Sequence, residues 1–223
     1  ADGVMDVHLA DINLDGYLDI VYASMHDDTI AWYENNKDRN PSFTEKHTIS
    51  TNADSANGIF VADLDGDGDL DVISASANDD KISWYEYYYG GFTERSIATS
   101  ADQASKVFVA DLDGDGDLDI VSSSRGDDTI AWYENDGADD PTFTAADIAT
   151  SADGAQDVHV ADLDGDGDLD IISASHDDDT IAWYENDGAA NPTFTAADIA
   201  TNADGAQAID AVSYTHLRAH ETS

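Results

Sequence analysis

The chain has no cysteine among its 223 residues, so neither a disulfide framework nor thiol redox chemistry is open to it. Basic side chains are almost as scarce. Eight Lys and Arg stand against 49 Asp and Glu, a formal charge of −41 at pH 7. Such a field repels phosphate backbones and anionic bilayers, which excludes nucleic acid and anionic membrane surfaces as natural partners. Proline occurs only three times, and no segment shows a convincing helical period. No apolar run reaches the length of a membrane span, and no signal peptide is evident. The sequence opens in mid-repeat and is therefore expected to be a fragment.

What the sequence does hold is a nine-residue acidic stretch, used again and again. Asp63-Leu-Asp65-Gly-Asp67-Gly68-Asp69-Leu-Asp71 recurs unchanged at Asp111, Asp113, Asp115, Asp117 and Asp119, and at Asp162, Asp164, Asp166, Asp168 and Asp170. A degenerate copy carries Asp11, Asn13, Asp15, Tyr17 and Asp19. Oxygen donors at positions 1, 3, 5 and 9, with glycine at 6 for a sharp turn, aim alternate side chains at one point. The position-7 carbonyl can complete the shell. Hard oxygen donors in a flexible loop suit Ca²⁺ better than a transition metal. One Ca²⁺ is expected per loop, up to four, although Asn13 and Tyr17 remove charge from the first. An EF-hand would need a glutamate at position 12 and helices on both sides. Position 12 is Tyr22, Ser74, Ser122 or Ser173, and the flanks are short β-rich runs, so each loop reads as a hairpin with its position-9 aspartate in place of that glutamate.

The first loop aspartates are spaced by 52, 48 and 51 residues, and Trp32, Trp84, Trp132 and Trp183 each follow 21 residues later. In the fourth copy four strands are expected, at 157–161, 169–175, 180–185 and 193–200, with Asn186-Asp-Gly188 as a turn. Four short strands per repeat of this length describe a propeller blade. The fold class is all-β: four four-stranded blades at about 6–51, 58–99, 106–150 and 157–201, the start of a fifth, and an open arc of a seven-bladed ring. Domain 1–211 is the propeller fragment. Residues 212–223 resemble a translated sequencing adapter and are expected to be non-native; His216 and His220 within them are not read as a zinc site.

Repetition also separates structure from function. A residue present in every copy serves the blade, whereas a ligand-specific residue is singular. The Trp-Tyr-Glu triplets and Phe43, Phe92, Phe143 and Phe194 are therefore assigned to packing. Fourfold repetition argues against an acid–base pair drawn from Glu34, Glu86, Glu134 and Glu185. His8 and His159 share a column with Phe60 and Phe108 and are read as packing residues; His26 and His176 are read as solvated turn residues. The singular feature is Tyr87-Tyr88-Tyr89 before Gly90-Gly91, a candidate stacking platform for a sugar ring or a partner. No catalytic residues and no enzyme activity are expected.

The repeat V-x-V-A-D-L-D-G-D-G-D-L-D, followed by D-D-T-I-A-W-Y-E-N, resembles the FG-GAP/VCBS repeat family over about residues 1–211. The resemblance implies an integrin α-subunit-like β-propeller, commonly seven-bladed, with Ca²⁺ held at loop positions 1, 3, 5, 7 (carbonyl) and 9. The signature departs from the family's: Phe-Gly…Gly-Ala-Pro is reduced to Phe-Thr and Asp-Gly-Ala. The expected role is a secreted or cell-surface adhesion or binding module with a protein or glycan ligand, joined to the remaining blades of a longer chain. The alternatives are an accessory or catalytic propeller of a carbohydrate-active enzyme, and a purely structural repeat of a large surface protein.

Overall fold

A computed structural model describes residues 1–211; the segment 212–223, read above as non-native, lies outside the described residues. Sixteen strands form four antiparallel sheets, each a simple four-strand meander. Blade one holds β1 (Val4–Ala10), β2 (Asp19–Ser24), β3 (Thr29–Glu34) and β4 (Glu45–Ser50). Blade two holds β5 (Ala56–Ala62), β6 (Asp71–Ser76), β7 (Lys81–Tyr88) and β8 (Gly91–Ala98). Blade three holds β9 (Ala104–Ala110), β10 (Asp119–Ser124), β11 (Thr129–Asn135) and β12 (Phe143–Ala149). Blade four holds β13 (Ala155–Ala161), β14 (Asp170–Ser175), β15 (Thr180–Asn186) and β16 (Phe194–Ala200). The strands of blade four start or stop within two residues of the sequence reading. No helix of the described residues is long and apolar enough to cross a membrane.

The sheets of blades two and three are each sandwiched between neighbours, and the second strands show how deep the packing goes. β6, β10 and β14 are buried along their whole length. In β6 and β10 the side chains face a neighbouring blade on both sides, Val72 and Ile73 entering opposite gaps as Val121 and Ile120 do, so the apolar runs are continuous rather than alternating. Three hydrophobic clusters fill the three gaps between blades, and each draws on two adjacent sheets. Tryptophan contributes to each gap: Trp84 meets Phe143 of the next blade edge-on at 6.1–6.2 Å, as Trp132 meets Phe194. The rings of His8, Phe60, Phe108 and His159 pack in series, edge-on or tilted, with centroids 4.9, 4.9 and 4.6 Å apart. Burial holds the His8 imidazole below its ordinary pKa. Both observations give that column a packing role.

The chain passes from blade to blade by one repeated device. The turn between the second and third strands places Asp28, Asp80, Asp128 and Asp179 at positive φ, between 51° and 59°. Each then accepts two amide protons from the following crossover. Asp128 takes Ala152 N on its carbonyl at 2.9 Å and Gly154 N on Oδ1 at 2.9 Å. Asp179 repeats both with Ala203 and Gly205, at 2.8 Å each. Farther along, Ile209 N donates to Asp157 Oδ2 at 2.9 Å, as Ile59 N does to Asp6 Oδ2. Residues 201–209 therefore leave blade four along the path by which the chain enters the blades before it.

Candidate metal centre

The acidic loops join the first and second strands of every blade. Two glycines per loop turn the chain: Gly66 and Gly68 have φ of 72° and 96°, and their counterparts in blades three and four match. Position 6 was legible as a turn, but position 4 carries an equal demand; in the first loop Leu14 fills it at φ 56°. With the chain bent this way, side-chain oxygens organise the backbone. Gly116 N donates to Asp111 Oδ2 at 3.1 Å, Asp115 N to Asp113 Oδ1 at 3.1 Å and Asp117 N to Asp115 Oδ1 at 2.9 Å.

The carboxylates at positions 1, 3 and 5 converge. One ligand oxygen each from Asp63, Asp65 and Asp67 lies within 4.8 Å of the others, and the same holds for Asp111, Asp113 and Asp115. In the fourth loop Asp170 joins Asp162 and Asp164 instead of Asp166. Three anionic groups at that separation favour a cation between them. Desolvation raises the carboxyl pKa of Asp65 and Asp113. Asp63 Oδ1 is buried without a hydrogen-bond donor. An orphaned carboxylate oxygen facing two others fits a hard divalent cation of the Ca²⁺ type. The first loop is different. Lys37 Nζ lies 2.9 Å from Asp15 Oδ2 and lowers the Asp15 pKa, chiefly through that hydrogen bond.

The position-9 aspartates sit beneath the loops and are fully buried. Asp119 Oδ1 accepts Asn135 N at 2.9 Å and Oδ2 accepts Leu112 N at 3.1 Å; Asp71 and Asp170 bind the equivalent pairs of amides. Desolvation pushes both Asp71 and Asp119 up to about 7, against those amide bonds, which pull the other way. At position 7, Asp117 and Asp168 lie so close to Gly137 and Gly188 that an added Cβ on either glycine would collide with a carboxylate oxygen. Asp69 occupies the same place in the second loop, whereas the first has exposed Tyr17.

In the second and third loops two leucines tie the loop to both neighbouring interfaces; the first and fourth loops reach one interface each, through Ile12 and Leu169. The position-2 residue enters the gap to the next blade: Ile12, Leu64 and Leu112 are 2–3% exposed. The position-8 residues Leu70, Leu118 and Leu169 pack into the preceding gap. The latch that sequence reading missed is Asn135. Its Nδ2 donates to Leu118 O of its own blade at 3.0 Å and to Leu64 O of the preceding one at 3.2 Å. Asn186 does the same for Leu169 and Leu112. The only signal for it was an Asn before each Asp-Gly, which reads equally well as a turn residue. The tyrosine run lies elsewhere. Tyr87 packs on Phe92, while Tyr88 ends β7 and Tyr89 opens the two-residue turn with Gly90; they are 56% and 91% exposed.

The FG-GAP-like repeat profile matches four overlapping stretches, residues 11–74, 63–122, 111–173 and 162–214. Each starts at the first aspartate of an acidic loop, and the first three run to beyond the next loop. No curated protein matches the chain by sequence. Among solved structures, an Agrocybe aegerita lectin that recognises non-reducing terminal N-acetylglucosamine is 23% identical, with a TM-score of 0.57 over 89% of this chain and 52% of its own. The V. cholerae biofilm matrix protein Bap1 is 19% identical, with a TM-score of 0.55 over 91% of this chain and 29% of its own. A Bacteroides fragilis protein, provisionally a 6-phosphogluconolactonase, is 15% identical, with a TM-score of 0.62 over 91% of this chain and 56% of its own. The chain thus spans little more than half of the relatives' length at most, and at these identities they share its fold. Four profile matches across almost the whole propeller, together with the four meander blades, place the chain in the FG-GAP-like repeat family.

Proposed function

We propose that the chain is a calcium-stabilised, non-catalytic propeller module that works outside the cell in binding or adhesion. The observation that carries this is the construction of the loops. In the second and third loops converging carboxylates sit between two leucines that enter opposite interblade gaps, so a cation that fixes the loop also fixes the packing of its blade against both neighbours. Ca²⁺ bound by loops of this kind acts as a staple, because its binding free energy adds to folding. Extracellular modules work with dissociation constants of about 10⁻⁴–10⁻³ M, concentrations the cytosol does not reach. The high negative charge suits the same calcium-rich, screened medium.

For the ligand we favour a glycan or a protein surface. The lectin and the biofilm matrix protein of the same fold support that class. A cleft of about 520 Å³, lined by Met5, Asn57, Lys106, Arg125, Gln156 and Gln207 among others, lies along the first strands of the blades. Amide and cationic side chains there suit a hydroxyl-rich or carboxylated ligand, and the size is that of ordinary small-ligand sites. The exposed Tyr88 and Tyr89 offer a second contact point. Two measurements test the proposal. Thermal melting in excess Ca²⁺ against chelator should show a large upward shift with calcium, and an unchanged midpoint refutes the staple. A glycan array in Ca²⁺ should show binding; silence there and against candidate protein surfaces leaves a structural spacer.

A further inference from the structure

Blade one departs from the others at the hairpin of β3 and β4. In blades two, three and four the glutamate after Trp-Tyr faces a threonine across the strands: Glu86 with Thr93, Glu134 with Thr144 and Glu185 with Thr195. In blade one Glu34 faces Glu45. Like charges directly opposite one another on a sheet are destabilising. The residue across from the tryptophan is also singular: Arg95, Ala146 and Ala197 elsewhere, His47 here. Side chains alternate along a strand, so Trp32, Glu34, Glu45 and His47 share one face. Blade two shows the ordinary solution at this position, where Arg95 pairs with the single carboxylate of Glu86 at 2.7 Å. Blade one has two carboxylates and an imidazole instead.

We propose that Glu34, Glu45 and His47 form a binding site for a zinc-class divalent transition ion, separate from the acidic loops. One ligand atom from each lies within 4.8 Å of the others. His47 Nε2 and Glu34 Oε2 are 3.3 Å apart. That is about the edge of a tetrahedron with metal–ligand distances of about 2.0–2.1 Å. The imidazole is held for this task by Trp32, whose ring stacks on it at 4.2 Å and 17°. Lys37 lies 4.0 Å from Glu34 but closer to Asp15. An imidazole nitrogen separates the metal preference of this site from that of the all-oxygen loops. Three protein ligands with Glu45 exposed leave a fourth position for water or a donor from a partner. The ion would also relieve the opposed carboxylates and pin the outer edge strand of the blade.

The test is calorimetric titration of Zn²⁺ into the full chain saturated with Ca²⁺, with His216 and His220 replaced by alanine to silence the terminal histidines. One Zn²⁺ should bind per chain. Glu45→Gln and His47→Gln should each weaken it by at least about tenfold, the lower end of what losing even an outer-shell partner costs. Glu45 is exposed, so Glu45→Gln keeps the test valid if His47→Gln proves unstable. Zn²⁺ should also raise the melting temperature of the parent and leave that of Glu45→Gln unmoved. Unchanged zinc affinity in Glu45→Gln, or displacement of the zinc by excess Ca²⁺, overturns the proposal.

Discussion

Lys37 Nζ lies 2.9 Å from Asp15 Oδ2, so the fifth position of the first loop is held by an ammonium group of the protein's own. Tyr89, Gly137 and Gly188 stand at the equivalent turn position, all at positive φ, and only blade one puts a cation there. With Asn13 and Tyr17 already lowering its charge, the first loop is expected to bind Ca²⁺ last and most weakly. Calcium titration of the parent should count three strong sites. Lys37→Gly also relieves the φ of 63° and should add a fourth site of higher affinity. A parent with four equal sites, or no gain in the variant, contradicts the tethered-cation reading.

Asn135 and Asn186 are the covalently simplest test of the interblade latch. Asn135→Ala leaves the Leu64 and Leu118 carbonyls without their donor, and a buried unpaired polar group costs about 1–3 kcal/mol. Urea denaturation in saturating Ca²⁺ should show a loss of that size for Asn135→Ala. Asp136→Ala, in the exposed turn beside it, should cost clearly less. Equal losses would mean the asparagine acts only through the turn.

Blade number, strand order and the acidic loops were legible in the sequence because each rests on a short, repeated, local pattern. The loop spacing fixed the hairpins, and the constant interval to Trp32, Trp84, Trp132 and Trp183 fixed the strands between. Contacts between blades were not legible. Asp128 and Asn135 act through residues 24–26 or 71 positions away, and nothing in a local pattern distinguishes such partners from solvent. Lys37 was missed for a related reason: its partner Asp15 lies in a different loop of the same sheet. The hairpin of Glu34, Glu45 and His47 needed the cross-strand register before its members could be seen to share a face.

The pH dependence of the metal-free protein follows from Asp71 and Asp119. Both titrate at about 7 in the fold, chiefly through desolvation, against about 3.9 in an unfolded chain. A raised carboxyl pKa favours the protonated folded state. That stability is present in full below about pH 4 and is lost as pH rises to about 7. Urea midpoints of calcium-free protein should therefore fall across this window. The general charge of the chain acts in the same direction, so the specific check is Asp71→Asn with Asp119→Asn, which should flatten part of the slope. An unchanged slope in that double variant rules out these two groups as its source.

Within a loop, positions 5 and 7 should respond differently. Asp115 lies in the converging cluster, whereas Asp117 rests its side chain against Gly137. Asp115→Ala should lose one calcium and lower the calcium-dependent melting shift. Asp117→Asn keeps the shape and the position-7 carbonyl and should be mild. Calorimetry of both variants distinguishes them, and equal damage would refute the ligand assignment.

The two ends of the blade stack present unequal apolar faces. Ile59 and Val61 on β5, and Val107 and Val109 on β9, are 3–7% exposed because a preceding blade covers them. Val7 and Leu9, at the equivalent places in blade one, are 52% and 58% exposed, and Leu18, the counterpart of the packed Leu70, is 56% exposed. At the other end Leu163 and Ile199 are exposed, although Leu112 and Ile148 are packed in the gap after blade three. The same contact that joins each blade to the next is thus offered, unfilled, at both ends of residues 1–211. Exposed apolar patches associate, but at −41 the chains repel one another until salt shortens the range of that repulsion. Isolated 1–211 is therefore expected to be monomeric at low ionic strength and to self-associate head to tail as salt rises. Sedimentation velocity across a salt series reads this directly. Val7→Glu with Leu9→Glu should abolish the association while leaving the calcium-dependent melting shift in place, since both residues are exposed and lie on β1, before the loop begins. A salt-indifferent parent monomer would show instead that the end faces are not adhesive and that the arc closes on itself in solution.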